Sequence, residues 1–233
     1  MLIIAEIGQN HNGDMATAKK LITAAREAGA DIAKFQLYDV ESIFTPDFEW
    51  YKEAKQAQLS REQVSELADW CKNTGIEFMA SVFDVERVEW CQDIGMRRYK
   101  IASRSIYDRE LINAIAATGK DIIVSLGMYK EKGFPLISAS SKVDYLYCVS
   151  KYPTPLEDLN LLKVDFSKYS GFSDHTIGIE AALVAMARGA RIIEKHFTLD
   201  KNMHGPDHAG SMDPGELKQI VEFSRKFARI LYH

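Results

Sequence analysis

The run Arg191-Ile-Ile-Glu-Lys-His196 delivers an acid, an ammonium and an imidazole directly after an apolar pair, and a polar loop carrying His204, Asp207 and His208 follows. Glu194, Lys195 and His196 thus stand at the carboxyl end of what reads as a buried strand. Unpaired charge in such a place costs several kcal/mol or shifts its pKa, so its retention points to something bound. Upstream, Gly171-Phe-Ser-Asp-His-Thr176 repeats the pattern and offers His175. Two imidazoles from neighbouring strand ends, with carboxylates nearby, are the donor set of an open divalent-metal site. The alternative is that each histidine only closes a strand end with hydrogen bonds. The occurrence of both in one charge cluster favours the metal.

Two lysines carry a second signal. Lys34 in Ile32-Ala-Lys-Phe-Gln36 and Lys100 in Tyr99-Lys-Ile-Ala-Ser103 lie between apolar neighbours that belong in a sheet. A lysine inside a strand needs an anionic partner, and serine hydroxyls converging on the same space suit a phosphate. The competing reading pairs the lysines with Glu6 and Glu194.

The elements that must position these groups alternate along the chain. Strand-like runs are Leu2–Gly8, Asp31–Leu37, Glu77–Phe83, Arg98–Ser103, Asp121–Gly127, Val143–Ser150, Tyr169–His175 and Arg191–Leu199. Between them, helical patterns occupy Met15–Ala28, Arg61–Asn73, Val85–Gln92, Arg109–Ala117 and Ile179–Ala187, and Gly215–Tyr232 closes the chain. Several helices stop at a glycine, as in Ala28-Gly29 and Thr74-Gly75, where a left-handed cap is cheap. Continuous apolar strands suit a parallel sheet covered on both faces. About eight β/α units in one domain predict a TIM (β/α)8 barrel, with an open doubly wound sheet as the runner-up. The fifth helix is expected to be missing or reduced, because residues 128–142 carry Gly133 and Pro135 and lack a helical face. The long aromatic-rich segment Asp39–Leu59 reads as a lid or interaction loop.

Barrels of this kind build their sites at the carboxyl ends of the strands. Those ends offer Glu6 with Asn10-His11, Lys34 and Gln36, Ser81 and Asp84, Lys100 and Ser103, and Ser125. Ser150 and Tyr152, then Ser173, Asp174 and His175, then Glu194, Lys195 and His196 complete the ring. His204 and His208 read as solvated loop residues. Trp50, Trp70, Trp90, Met79, Met96 and Met186 read as packing or interface residues.

Composition narrows the class. The chain has 233 residues, 46% of them hydrophobic, and a formal charge of −4 without a basic stripe, which argues against nucleic acid as a partner. No apolar run approaches the roughly 20 residues that span a membrane. The chain opens on a strand-like run rather than a signal-peptide pattern. Cys71, Cys91 and Cys148 read as reduced core thiols of a cytoplasmic protein. The barrel flank bared by the missing fifth helix is expected to be apolar and to form a homodimer.

Ala5-Glu-Ile-Gly-Gln-Asn-His-Asn-Gly-Asp14, Lys34-Phe-Gln36, Lys100-Ile-Ala-Ser103, Tyr152-Pro-Thr-Pro155, Gly171-Phe-Ser-Asp-His-Thr176, Glu194-Lys-His-Phe-Thr-Leu-Asp200 and Gly205-Pro-Asp207 together resemble the sialic acid synthase family. That family comprises the N-acetylneuraminate, pseudaminic and legionaminic acid synthases, and the resemblance runs in order from residue 3 to about residue 214. It implies a barrel that condenses phosphoenolpyruvate with the open-chain aldehyde of an N-acetylated hexose, giving a nonulosonic acid and phosphate. It also implies a divalent ion, Mn2+ or Mg2+, on His175 and His196, acting as a Lewis acid. By the same resemblance, Lys34, Lys100, Ser103, Ser125 and Ser173 grip phosphoenolpyruvate, with Ser81 standing where the family usually has threonine. Glu6 matches an acid/base or orienting glutamate. Gln36, Tyr152 and Asp207 match positions near the sugar, and Ser150 and Glu194 complete the expected substrate-binding set.

The chain departs from the pattern at three places. The family's Lys-Ile-x-Ser-Gly-Glu reads Lys100-Ile-Ala-Ser-Arg-Ser105, so Ser105 replaces a glutamate associated with water delivery and Arg104 a glycine. Serine is no comparable base near neutral pH. Ser150-Lys151 stands where an asparagine commonly precedes Tyr-Pro-Thr-Pro. The family continues into a small antifreeze-like domain, whereas this sequence ends at His233, so residues 1–233 are expected to form one catalytic barrel domain. Two other functions stay open: condensation with a different acceptor, and a ligand-binding barrel that keeps the clamp without turnover.

Overall fold

Eight parallel strands close into a barrel in the computed structural model of the protein, which describes residues 1–231. The strands are β1 (Leu2–Gly8), β2 (Ile32–Leu37), β3 (Glu77–Val82), β4 (Arg98–Ile101), β5 (Asp121–Ser125), β6 (Val143–Cys148), β7 (Gly171–Asp174) and β8 (Ile192–His196). Each pairs with its neighbour in sequence, and β8 closes on β1 with His196 opposite Glu6. Every strand lies within its expected run, but β3 to β8 end one to three residues short of its carboxyl end. Ser103, Ser150 and Thr198 have already left the sheet there, because the polar groups of the carboxyl rim sit in the first turn of each loop.

The helices follow from local signals. The helix α1 (Met15–Ala28) starts on Asp14, whose carboxylate accepts from the backbone of Ala16 and Thr17, and ends at Gly29 with φ 94°. Two short helices, α2 (Val40–Ile43) and α3 (Tyr51–Ala57), precede α4 (Arg61–Thr74). A reciprocal capping box between Ser60 and Gln63 opens α4. Then come α5 (Val85–Asp93), α6 (Arg109–Ala117), α7 (Glu180–Ala187) and α8 (Pro214–Leu231). The last residue of the expected terminal helix, Tyr232, lies outside the described residues. No helix of the described residues is long and apolar enough to cross a membrane.

As expected, no helix joins β5 to β6. Coil fills the gap: Phe134 packs between Tyr145 and Tyr169 at ring distances of 4.9 and 5.0 Å, while Leu136 is 95% exposed. Two further connections depart from a regular β/α unit. The β6–β7 connection has only single 3-10 turns at Leu156–Asp158 and Leu161–Lys163, since Pro153 and Pro155 interrupt any helical start. Residues 39–59 form a built wall rather than an open loop. Tyr38 Oη donates to Ala54 O at 2.7 Å, and the backbone N of Val40 donates to Gln58 Oε1 at 2.8 Å. That wall lies so close to the β1 loop that a Cβ on Gly13 would sit 2.2 Å from Gln56 O.

Inside the barrel, residues of alternate parity form layers. Ile4, Ile32, Met79, Ile123, Leu146 and Ile192 make an apolar plug toward the amino ends, each no more than 5% exposed. Burial of such side chains contributes roughly 1.5–3 kcal/mol apiece. The next inward positions along the same strands are Glu6, Lys34, Ser81, Ser125, Cys148 and Glu194, so the plug is the floor of a charged layer.

Candidate active site

Lys34 and Glu194 organise the charged layer. Lys34 Nζ lies 2.6 Å from Glu6 Oε2 and 3.6 Å from Glu194 Oε2, and it donates to Ser81 Oγ at 2.9 Å. Lys100 Nζ lies 3.3 Å from Glu194 Oε1, which also accepts from Ser173 Oγ at 3.0 Å. The lysines do pair with Glu6 and Glu194, which was the competing reading of the sequence. Burial works to raise the Glu194 carboxyl, but Lys100, Lys34 and the Ser173 hydroxyl outweigh it and hold the group below the usual range. Burial lowers Lys100, with Glu194 only partly offsetting it, whereas at Lys34 the two carboxylates outweigh burial and raise it.

Ser81 and Ser173 are engaged in this pairing, but three other serines are not. Ser125 Oγ and Ser150 Oγ are buried without a hydrogen-bond partner among the described residues. Ser103 Oγ accepts from Gly127 N at 3.1 Å and reaches Cys148 Sγ at 3.7 Å. Buried hydroxyls left unsatisfied cost free energy unless an occupant supplies the partner. A small chamber of about 50 Å³ collects Ser103 and Ser125 with both lysines, Glu6 and Glu194, while Ser150 lines the wider space above it.

The chamber opens into a mouth of about 550 Å³, sharing Gln36, Ser103, Tyr152 and His196 with it. Gln36 Nε2 donates to Glu6 Oε1 at 3.1 Å. His175 and His196 face each other with ring centroids 5.9 Å apart, and Tyr152 covers His175 at 4.1 Å. His175 Nδ1 lies 2.9 Å from Val149 O, which can only accept, so Nδ1 carries the proton and Nε2 the lone pair. Burial, then His196, depresses the His175 pKa to about 3, so the ring is neutral at physiological pH. His196 Nδ1 is buried without a hydrogen-bond partner, 3.8 Å from Asp207 Oδ2.

The neutral imidazole of His175 with its free lone pair, the orphaned ring nitrogen of His196 and the Asp207 carboxylate fit a divalent cation. No set of three or more His, Cys, Asp or Glu side chains is gathered for a metal among the described residues, so the donors offered are this pair and its neighbours. The geometry brings Glu6, Lys34, Gln36, Ser81, Lys100, Ser103, Ser125, Ser173, His175, Glu194 and His196, with Ser150, Tyr152 and Asp207, to this chamber and its mouth.

Other rim residues serve the scaffold instead. Asp174 and Lys195 point away from the chamber and pair at 3.2 Å, both within 1% of full burial; Lys195 also donates to Thr176 O, which fixes the turn after His175. Asn10 Nδ2 donates to Phe197 O and Ser211 Oγ, both at 2.9 Å. His208 is not solvated as expected but fully buried, with Nδ1 2.7 Å from Thr198 Oγ1. His204 is exposed, as expected, and meets Glu53 at 2.9 Å. Cys148, read only as a core thiol, belongs to the chamber, and Phe44, Phe83 and Arg104 to the mouth. Strand parity could have found Cys148, since it follows Leu146 of the plug by two residues.

His11 is also buried, and its role can be tested by pH. Gly13 N donates to His11 Nδ1 at 3.1 Å, and burial lowers the ring's pKa to about 4 against a smaller opposing pull from Asp14. From pH 6.5 down to about 4 the unfolded chain binds a proton that the folded chain refuses, so stability present at neutral pH is lost as pH falls through that window. Between pH 7 and pH 5 the loss attributable to His11 is about 2 kcal/mol. Urea unfolding at both pH values should show His11→Asn losing less stability on acidification than the native chain. An identical loss in both would contradict a buried neutral His11.

A sequence model of the NeuB family matches residues 21–232. An N,N'-diacetyllegionaminic acid synthase of Legionella pneumophila is 35% identical over an alignment covering 98% of this chain and 72% of the relative. An uncharacterised protein of Methanocaldococcus jannaschii is 40% identical, with 98% of this chain and 71% of that protein covered. Among solved structures, the N-acetylneuraminic acid (sialic acid) synthetase of Leptospira borgpetersenii, in complex with citrate, superimposes with a TM-score of 0.93 at 34% identity, covering 100% of this chain and 85% of that one.

Proposed function

The chain belongs to the NeuB family and is a sialic acid synthase-like enzyme, and from that premise we propose that its barrel condenses phosphoenolpyruvate with an N-acetylated hexose to a nonulosonic acid, releasing phosphate, with a divalent metal on His175 and His196. The observation that carries this reading is the unsatisfied buried hydroxyl of Ser125, gathered with Ser103 and the ammonium groups of Lys34 and Lys100 in one chamber. Such a chamber suits a small oxyanion.

Formal charge supports the metal. Lys34 and Lys100 are matched by Glu6 and Glu194, so a ligand carrying both a phosphate and a carboxylate brings negative charge into a site already balanced. A divalent cation at the imidazoles would offset it and would polarise the acceptor's carbonyl oxygen.

The chain's own residues then have separable tasks. Lys34, Lys100 and the serines Ser81, Ser103, Ser125 and Ser173 hold the two acidic groups of phosphoenolpyruvate over the apolar plug. Gln36, Tyr152, Ser150 and Asp207 orient the sugar in the mouth. Glu6, tethered by Gln36 at 3.1 Å and Lys34 at 2.6 Å, is positioned to exchange a proton at the carbonyl end. C3 of phosphoenolpyruvate attacks the aldehyde carbon and the new carbon–carbon bond forms. Water adds at C2, and the tetrahedral intermediate expels phosphate. With Ser105 in place of a glutamate, Glu6 or the phosphate itself takes the proton from that water. A homodimer through the flank around Leu136 belongs to the same reading.

Phosphate release from phosphoenolpyruvate is expected only when Mn2+ and an acceptor such as N-acetylmannosamine are both present. Chelation should abolish it and added Mn2+ restore it. Absence of release across N-acetyl hexoses and other aldoses, with folded protein and metal, would overturn the reading.

A further inference from the structure

The mouth above the chamber holds one arginine among aromatic walls, Arg104, which is exposed at the rim and lines the cavity. Arg104 Nη2 donates to Ile43 O at 3.1 Å. Its guanidinium lies 5.2 Å from the ring centre of Phe44 and 6.0 Å from that of Phe83. Phe44 is itself stacked on Phe48 at 4.6 Å, which extends the aromatic platform under the cation. Only the Ile43 bond engages the fork among the described residues, and Arg104 lines the cavity with no other lysine or arginine beside it. A guanidinium placed over aromatic rings with free N–H groups is suited to bidentate capture of a carboxylate or phosphate.

The charges of the mouth are divided. Asp207 sits beside His196, over the imidazoles, at 3.8 Å. Arg104 sits over Phe44 and Phe83 on the wall built by residues 39–59. Phosphoenolpyruvate does not need Arg104, because the two lysines and the buried serines already serve its two acidic groups in the chamber below. The unclaimed fork is therefore directed at the second substrate.

We propose that Arg104 makes the enzyme selective for an acceptor aldose bearing an anionic group, phosphate or carboxylate, at the end remote from its aldehyde. This inference rests on the condensation described above and specifies its acceptor. Arg104 acts as a specificity determinant: the aldehyde is oriented toward the imidazoles while the anionic tail is held at the aromatic wall, a separation that fixes which end of the sugar enters.

The test compares three acceptors with Mn2+ and saturating phosphoenolpyruvate: N-acetylmannosamine, its 6-phosphate, and the corresponding 6-uronic acid. The native enzyme should favour at least one anionic acceptor over the neutral one by tenfold or more in kcat/KM. Whichever anion is favoured, phosphate or carboxylate, identifies the tail. In Arg104→Gln, which keeps a donor for Ile43 O but no charge, that preference should collapse toward one through KM. Arg104→Lys should recover only part of it, having charge without the fork. A neutral acceptor used as well as both anions, or a preference unchanged in Arg104→Gln, overturns the proposal. If no acceptor releases phosphate, the condensation reading fails. Calorimetry of N-acetylmannosamine 6-phosphate against native protein and Arg104→Gln then decides the inference alone: binding weakened tenfold in the variant supports it, and equal or absent binding refutes it.

Discussion

Lys34→Met is expected to lose about 3–5 kcal/mol of stability and to depress phosphate release by about 10²–10³-fold, and the two losses should be separable. The stability term arises because Lys34 is the cation nearest Glu6, at 2.6 Å, and shares Glu194 with Lys100, in side chains only 3–6% exposed. Removal of the ammonium leaves Glu6 as a buried carboxylate facing Gln36 alone. Breaking one half of a buried pair is far costlier than removing both halves, because the desolvation of the remaining ion is no longer offset.

The double variant Lys34→Met with Glu6→Gln therefore decides between the roles. The amide can still accept from Gln36 Nε2, and no unpaired charge remains, so most of the stability should return. Phosphate release should not return, and calorimetric binding of phosphoenolpyruvate should stay weakened, because the anion clamp has lost one of its two ammonium groups. Restored activity in the double variant would reduce Lys34 to a scaffold residue. A single variant as stable as the native chain would mean that Glu6 does not depend on Lys34.

Much of this site was legible because strand parity does physical sorting. Lys34 two residues from Ile32, Ser125 two from Ile123 and Glu194 two from Ile192 follow the plug residues up the barrel interior, so charge in an apolar run marked a lined chamber. The missing fifth helix was readable from Gly133 and Pro135. What escaped the sequence was contact between segments remote in the chain. Nothing local shows that Arg104 rests on Phe44, that His208 is buried against Thr198 and Asn12, or that residues 39–59 fold into a wall tied to the β1 loop. Those pairings join the loops of different strands: β4 and β2 for Arg104, β2 and β1 for the wall, and β8 and β1, brought together by barrel closure, for His208 and Asn12. The strand ends were overextended for a related reason: Ser103 and Ser150 directly follow apolar runs in sequence, but the backbone has already turned out of the sheet to present them.

His196→Ala should leave the fold almost intact while phosphate release falls by about 10²–10³-fold and Mn2+ affinity falls by at least tenfold. The asymmetry follows from its bonding. His196 Nδ1 has no hydrogen-bond partner among the described residues, and its nearest acid, Asp207, is 3.8 Å away, so truncation sacrifices little native interaction. His175 is different: its Nδ1–H donates to Val149 O at 2.9 Å, and the backbone O of His175 accepts from Thr154 N at 2.9 Å. His175→Ala should therefore add a stability loss of about 1 kcal/mol, the usual net value of one hydrogen bond, to the same loss of metal. Phosphoenolpyruvate binding measured without metal should survive in both variants, because Lys34, Lys100 and the serines are untouched. If His196→Ala binds Mn2+ as tightly as the native chain, the imidazole pair is not the metal's seat. If metal binding is lost but phosphate release persists within tenfold, the metal is dispensable and the charge imbalance of the loaded chamber must be met by protons instead.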